Sequence, residues 1–296
     1  MRPSLLTRRT FMGLSAGAVL AAGSAAAAQT RVAAIDWAML ETALALGILP
    51  VAATELVQYR KIVVEPPVPE TTADIGLRGT PNYEMLRLAE PDLILSSNFY
   101  VAQHASLERI APVVSAPVYQ PGSPAYELAE GAARAIGSAT GLERQAKDLI
   151  GQSAATLRNS AKLLEPLTDR PTFAISVGDA RHFRAFGPDS MIGGVLERLG
   201  FENAWHADTS YSAAAPVGFE ALAEVPEARV IIVEPIPPDA GPGLLENALW
   251  RALPMVREGR VVTIAPVNHF GGLPSAMRFS RLLADAMDGQ AGEGRG

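Results

Sequence analysis

The strongest constraint on the fold is the alternation of short apolar runs with helical patterns along most of the chain. "RVAAID", "PDLILSS", "TFAISV", "ARVIIVEP" and "GRVVTIAP" are continuous hydrophobic segments of strand length. Between them lie "AMLETALALGI", closed by Gly47, and "SMIGGVLERLGF", both with helical spacing. Buried strands separated by helices predict parallel sheets covered on both faces. A weak repeat divides the chain: "YEMLRLAEPDLILSS" parallels "FEALAEVPEARVIIVEP", each an aromatic–Glu–x–Leu helix followed by proline and a buried strand. The helical stretch from Thr140 to Glu165 lies between the two copies and would span roughly 40 Å. The expected fold is therefore α/β: two Rossmann-like lobes joined by one long helix, with a ligand cleft between them. The expected boundaries are 29–139, 140–165 and 166–296.

The first 28 residues stand apart. Paired Arg8 and Arg9, preceded by Thr7 and followed by Phe11, lead into an Ala/Gly-rich apolar run ending in small residues around Ala26 and Ala28. This pattern predicts a cleaved signal peptide of the twin-arginine type, with the mature chain starting near Gln29. The apolar run is shorter than the roughly 20 residues needed to cross a bilayer. The chain has no cysteine, which excludes a lipid-anchored cysteine and disulfides. Removing residues 1–28 takes away three arginines and no acid, so the formal charge falls from −6 to −9. Nucleic acid and anionic membranes are poor partners for such a surface.

Catalytic motifs fail one by one. "GLSAG", a match to the hydrolase elbow, lies inside the signal segment. Walker A, G-x-G-x-x-G after a strand, and H-E-x-x-H are all missing. Asp179, His182 and Ser190 are near one another in "GDARHFRAFGPDS", but Ser190 reads as the N-cap of the following helix. His104, His182, His206 and His269 have no ligand spacing, so no metal site is expected. An exported hydrolase on the same lobes would lack an activated nucleophile. One residue does look aimed: Arg78, between Gly76 and Gly79 in "DIGLRGTPNYEML", after an extended segment and before a helix start. It would either face a ligand or close its loop by pairing with Asp74.

Over nearly the whole mature chain, in order, the sequence resembles the periplasmic ferric-siderophore binding proteins of ABC importers, in particular the hydroxamate-binding group. The resemblance rests on "DWAMLETALALGILPVAA", "YRKIVVEPPVPE", "DIGLRGTPNYEML", "PDLILSSNFY", "ERIAP", "FGPDS", "NAW", "ALWRALPMVREGRV" and "SAMRF". The succession of "EPPVPE", "DIGLR" and "PNYE" is its most specific part. It implies a substrate-binding protein rather than an enzyme, a monomer without cofactor, whose ligand brings iron already saturated by its own oxygens. Arg78 matches the family's guanidinium facing the hydroxamate oxygens, and Tyr100 its tyrosine donor, with Phe99 the competing occupant. Where such binders often carry tryptophans, this chain has Ile62, Ser212 and Asn268. Around them stand Tyr59, Tyr211, His269 and Phe270, which suggests a more polar pocket suited to a hydrophilic or mixed citrate–hydroxamate ligand. Trp37 would line the cleft or pack under it, while Trp205 and Trp250 read as core. Glu84 and Glu220, at matching points of the repeat, are the implied contacts to the permease dimer. A cobalamin or haem binder of the same fold is the alternative reading.

Overall fold

The computed structural model describes residues 30–207 and 217–293. Two five-stranded sheets form its frame. The first is built from β1 (Val32–Ala34), β2 (Ala52–Ala53), β3 (Ala73–Asp74), β6 (Leu93–Ser97) and β7 (Val113–Ala116). A small hairpin, β4 (Gly76–Leu77) with β5 (Thr80–Pro81), interrupts the run between β3 and β6. The order is β3-β2-β1-β6-β7 and every pairing is parallel. β1 and β6 are buried along their full lengths, which is why they read as unbroken apolar runs rather than alternating ones. From β1 the chain winds first towards β2 and later towards β6 on the opposite side. The gap between β1 and β6 is thus the switch point, where loops diverge and leave a crevice.

The second sheet contains β8 (Thr172–Val177), β9 (His182–Ala185), β10 (Val217–Gly218), β11 (Arg229–Val233) and β12 (Val261–Ile264), in the order β10-β9-β8-β11-β12. Here the expectation of parallel sheets needs correction. β8, β11 and β12 run parallel, but β9 pairs antiparallel with β8 on one side and with β10 on the other. The connection from β8 to β9 is too short for the crossover that parallel pairing requires. Asp179 folds it into a turn by accepting from the Arg181 and His182 backbone amides at 2.7 and 2.9 Å.

The connector is the helix Glu143–Leu164, 22 residues long. It is separate from the preceding helix Ala125–Thr140 because Gly141 takes φ +71°, a left-handed stop that glycine adopts at little cost. Its buried positions, among them Ala146, Leu149, Ser153 and Leu157, recur every three or four residues. A second tie between the halves was not foreseen. The last helix, Leu273–Glu293, packs on the connector and is held by carboxylates of the first half. Glu41 accepts from the Gly272 amide and from Ser275 Oγ, and Glu65 accepts from Arg278 and Arg281. Tyr119 adds a bond across the halves, donating to Asp189 at 2.9 Å. A rigid connector with these ties resists hinge bending. Small-angle scattering should give the same radius of gyration with and without ligand, and a clear compaction would refute this rigidity.

Glu41 also predicts a pH dependence. Burial pushes its carboxyl up from 4.5 to about 8, against the lowering effect of its bonds to Ser275 and Gly272. With the folded value above the unfolded one, the native state holds a proton that the unfolded chain releases. The associated stability is complete below about pH 4.5 and is lost as pH rises towards 8. Glu41→Gln should flatten that decline, and thermal melts from pH 5 to 8.5 that fall equally in both proteins would disprove it.

The repeat survives in position but not in helix type. Tyr83–Leu88 is an α-helix capped by Asn82, whereas its counterpart Phe219–Glu224 is a 3₁₀ helix. Each leads into a central strand, β6 or β11. Trp250 is buried edge-on against Phe219, and Trp205 is half-buried against Phe183. Ser190 caps Met191–Arg198, its Oγ accepting from the Gly193 amide at 2.9 Å and donating to Gly187 at 2.7 Å. Both functions of that hydroxyl are therefore spent on structure.

Candidate ligand cleft

Arg78 and Gly79 form the two-residue tip of the β4–β5 hairpin. The approach to this tip is shaped by Asp74, whose carboxylate accepts from the Gly76 and Leu56 amides, both at 3.0 Å. Gly76 sits at φ +81°, where a side chain would be strained. Asp74 is thus occupied, and the partner of Arg78 is Glu55 instead. One Glu55 oxygen accepts from the Arg78 backbone amide and the other from its Nε, each at 2.9 Å. Gln103 Nε2 donates to the carbonyls of Arg78 and Gly79 at 3.0 and 2.9 Å. The guanidinium carbon lies 3.8 Å from the centroid of the Trp37 ring. The arginine is therefore clamped at Nε and stacked on one face, so that Glu55 does not engage its two terminal nitrogens. Glu55 itself takes φ +51°, a left-handed conformation costing a non-glycine residue about 1–3 kcal/mol.

Trp37 begins the helix after β1, whose N-cap Asp36 accepts from the Ala38 and Met39 amides. Its indole donates to the Thr54 carbonyl at 3.0 Å, and only 4% of the residue is exposed. It forms the floor of the cleft under Arg78. Tyr59 does not reach the cleft. Its ring is fully buried edge-on against Trp37 at 5.9 Å, and its hydroxyl donates to Pro66 at 3.1 Å. It buttresses the floor from behind.

The turn after β6, Asn98–Gln103, supplies both Phe99 and Tyr100 to the same cavity. Their competition for one place dissolves because the turn kinks at Tyr100 (φ −115°, ψ 21°), presenting the two rings in succession. The Tyr100 phenol is hydrogen-bonded with Arg78. Burial, with the nearby Asp36 charge adding, pushes it up to about 12, so it remains a proton donor at neutral pH. Phe99 meets Phe270 from the second half edge-on at 5.4 Å.

This cavity measures about 410 Å³. A second, of about 390 Å³, continues it across the halves and shares Trp37, Arg78, Asn268 and Phe270. Asn268 accepts from the Phe270 amide at 3.3 Å, while its buried Nδ2 has no partner. His269 packs against Phe186 at 4.8 Å and its Nε2 is also buried without a partner. Burial, helped by the charge of Arg184, pulls this imidazole down to about 4, so it is neutral at physiological pH. Ile62 lines the second cavity. Tyr211 and Ser212 lie outside the described residues. Arg184, which the sequence reading passed over, also lines it. Strand alternation could have found it, since Phe183 and Ala185 are buried and the residue between them points away. Glu84 and Glu220 line neither cavity, are exposed on the surface, and make no ion pair among the described residues. No group of three or more His, Asp or Glu among the described residues is arranged to hold a metal ion.

The crevice between the α/β halves brings together hydrogen-bond donors and aromatic rings suited to holding a ligand. The chain belongs to the periplasmic binding protein family, whose model matches residues 32–267. It is not an enzyme, and binding proteins of this family carry ligands rather than cofactors. The chain is 29% identical over 293 residues to the iron(3+)-hydroxamate-binding protein FhuD of Escherichia coli (strain K12), covering 98% of this chain and 99% of that one. The structure is similar to the Fe3+–Desferal-bound siderophore binding protein FhuD from Vibrio cholerae, with TM-score 0.81 and 28% identity over 87% of this chain and 97% of that one. Similarity extends to the Fe(3+)-citrate-binding protein YfmC of Bacillus subtilis (strain 168), 23% identical over 78% of this chain and 71% of the relative. No described helix is long and apolar enough to cross a membrane.

Proposed function

We propose that this protein captures an iron(III)–hydroxamate siderophore in the periplasm and delivers it to an inner-membrane ABC importer. The observation that carries this reading is the clamped pair of donors. Arg78 is held at Nε by Glu55 and stacked on Trp37, beside the protonated Tyr100 to which it is hydrogen-bonded. A siderophore saturates iron with its own oxygens, which keep partial negative charge. A charged planar fork and a phenolic O–H are suited to such oxygens, and preorganisation avoids part of the ordering cost of binding. Trp37, Phe99 and Phe270 supply apolar surface for the organic skeleton. Asn268 and His269 make the opposite wall polar, in keeping with a hydrophilic hydroxamate. The likeness to the two FhuD proteins, whose names specify such ligands, supports the assignment.

The protein acts as a monomer, docking on the permease dimer through Glu84 and Glu220, one from each half. Residues 1–28 serve as a twin-arginine export signal, leaving a soluble periplasmic protein without a lipid anchor. Replacing Arg8 and Arg9 by lysine should hold the precursor in the cytoplasm, and normal export would count against this signal. The binding function itself is tested by tryptophan fluorescence. Trp37 lies directly under Arg78, so a ferric trihydroxamate should quench emission saturably with one-to-one stoichiometry. Absence of saturable quenching across a panel of ferric hydroxamates would overturn the assignment.

A further inference from the structure

The two arginines of the cleft differ in one respect. Arg78 is neutralised by Glu55 at 2.9 Å, and Asp36 lies in the same cavity. Arg184 projects from β9 in register with Ser176 of β8, is exposed, and makes no ion pair among the described residues. Among the described residues, no carboxylate lines the cavity that it shares with Arg78. Of the two acids five residues away in sequence, Asp179 is committed to His182 Nδ1 and to two backbone amides, and Asp189 accepts from the Tyr119 hydroxyl. Beside Arg184, the buried Asn268 Nδ2 is a donor with nothing to donate to, and the neutral His269 ring has a buried, unpartnered Nε2. Among the described residues, the second half of the cleft therefore carries a positive charge without a carboxylate partner and surplus donor capacity.

We infer that Arg184, with Asn268 Nδ2, forms an anion subsite that binds a free carboxylate of the siderophore outside its iron-chelating groups. This rests on the assignment of the cleft to ferric hydroxamates and narrows it to chelates with a net negative charge. A neutral ferric trihydroxamate would leave Arg184 partly desolvated and unpaired, a cost without return. A pendant carboxylate would accept charge-assisted bonds from the guanidinium and the amide. The two arginines then have separate tasks. Arg78 contacts the chelating oxygens near the metal, and Arg184 selects what the skeleton carries.

The test compares ferrichrome, a neutral trihydroxamate, with ferric aerobactin, a citrate dihydroxamate that has carboxylates beyond those binding the metal. Dissociation constants are measured by fluorescence titration at low and moderate salt, for the unaltered mature protein and for R184Q. Arg184 is exposed and unpaired, so R184Q should melt at an unchanged temperature. The unaltered protein should favour ferric aerobactin, and R184Q should lose about tenfold or more for that chelate while its ferrichrome affinity does not fall, the desolvation cost of the charge being removed. The preference should weaken with added salt. If both chelates bind and R184Q changes them equally or not at all, the carboxylate subsite is wrong while the siderophore assignment stands. If neither chelate binds the unaltered protein, the assignment itself fails and the subsite falls with it.

Discussion

Arg78→Ala is expected to weaken ferric hydroxamate binding by about 1.5–3 kcal/mol, the usual worth of a hydrogen bond to a charged group. Two effects act together. The ligand loses the N–H groups of the guanidinium, and Glu55 is left inside the cavity facing partly negative oxygens. The side chain of Glu55 is only 17% exposed, so water screens this repulsion poorly. Glu55→Gln combined with Arg78→Ala should therefore recover part of the loss. Arg78→Lys should not substitute, because an ammonium has neither the Nε that Glu55 holds nor a flat face to stack on Trp37. Stability without ligand should hardly change, since Glu55 keeps its bond to the backbone amide of residue 78 when the side chain is removed. A fall in melting temperature with unaltered affinity would show that the arginine only closes its hairpin.

The second large effect is expected in cells rather than in solution. Glu84→Ala with Glu220→Ala should abolish siderophore uptake while ligand affinity stays the same. Both carboxylates are exposed, unpaired among the described residues and outside the lining of both cavities, so ligand affinity should not depend on them. One contact per half across a two-fold permease would set orientation and register, and such rim charges mostly govern association. The alternative is that each only complements its helix end. That explanation suits Glu84, in an α-helical first turn, better than Glu220, whose 3₁₀ helix is short. Uptake at the normal rate by the correctly exported double variant would leave only the helix-end role.

Much of the frame was legible in the sequence, for identifiable reasons. β8 and β11 are buried on both faces, so their sequences are continuous apolar runs that no surface element would carry. The glycine flanking Arg78 and the serine at position 190 announced a tight turn and a helix cap. What remained hidden depends on contacts distant in the chain. Glu55 lies 23 residues from Arg78 and adopts a left-handed backbone that glutamate does not advertise. The antiparallel return of β9 is set by an Asp179 turn rather than by any apolar pattern. Tyr59 is instructive in the other direction. Leu56 and Tyr59 share a buried face at helical spacing, a pattern that could have marked the tyrosine as core although the resemblance placed it at a cleft wall. The last helix was missed because "GGLPSAMRF" opens on glycines and proline, and its start is secured by Glu41, more than two hundred residues earlier.

The most direct measurement is the position of iron in crystals of the mature protein grown with a ferric hydroxamate, located by anomalous scattering at the iron edge. The proposed function predicts one iron site in the cleft, bounded by Arg78, Tyr100 and Phe270. Every oxygen of its first shell should belong to the siderophore, with Arg78 and Tyr100 bonded to those oxygens rather than to the metal. Iron bound directly by a protein side chain, or found only outside the cleft, would contradict it.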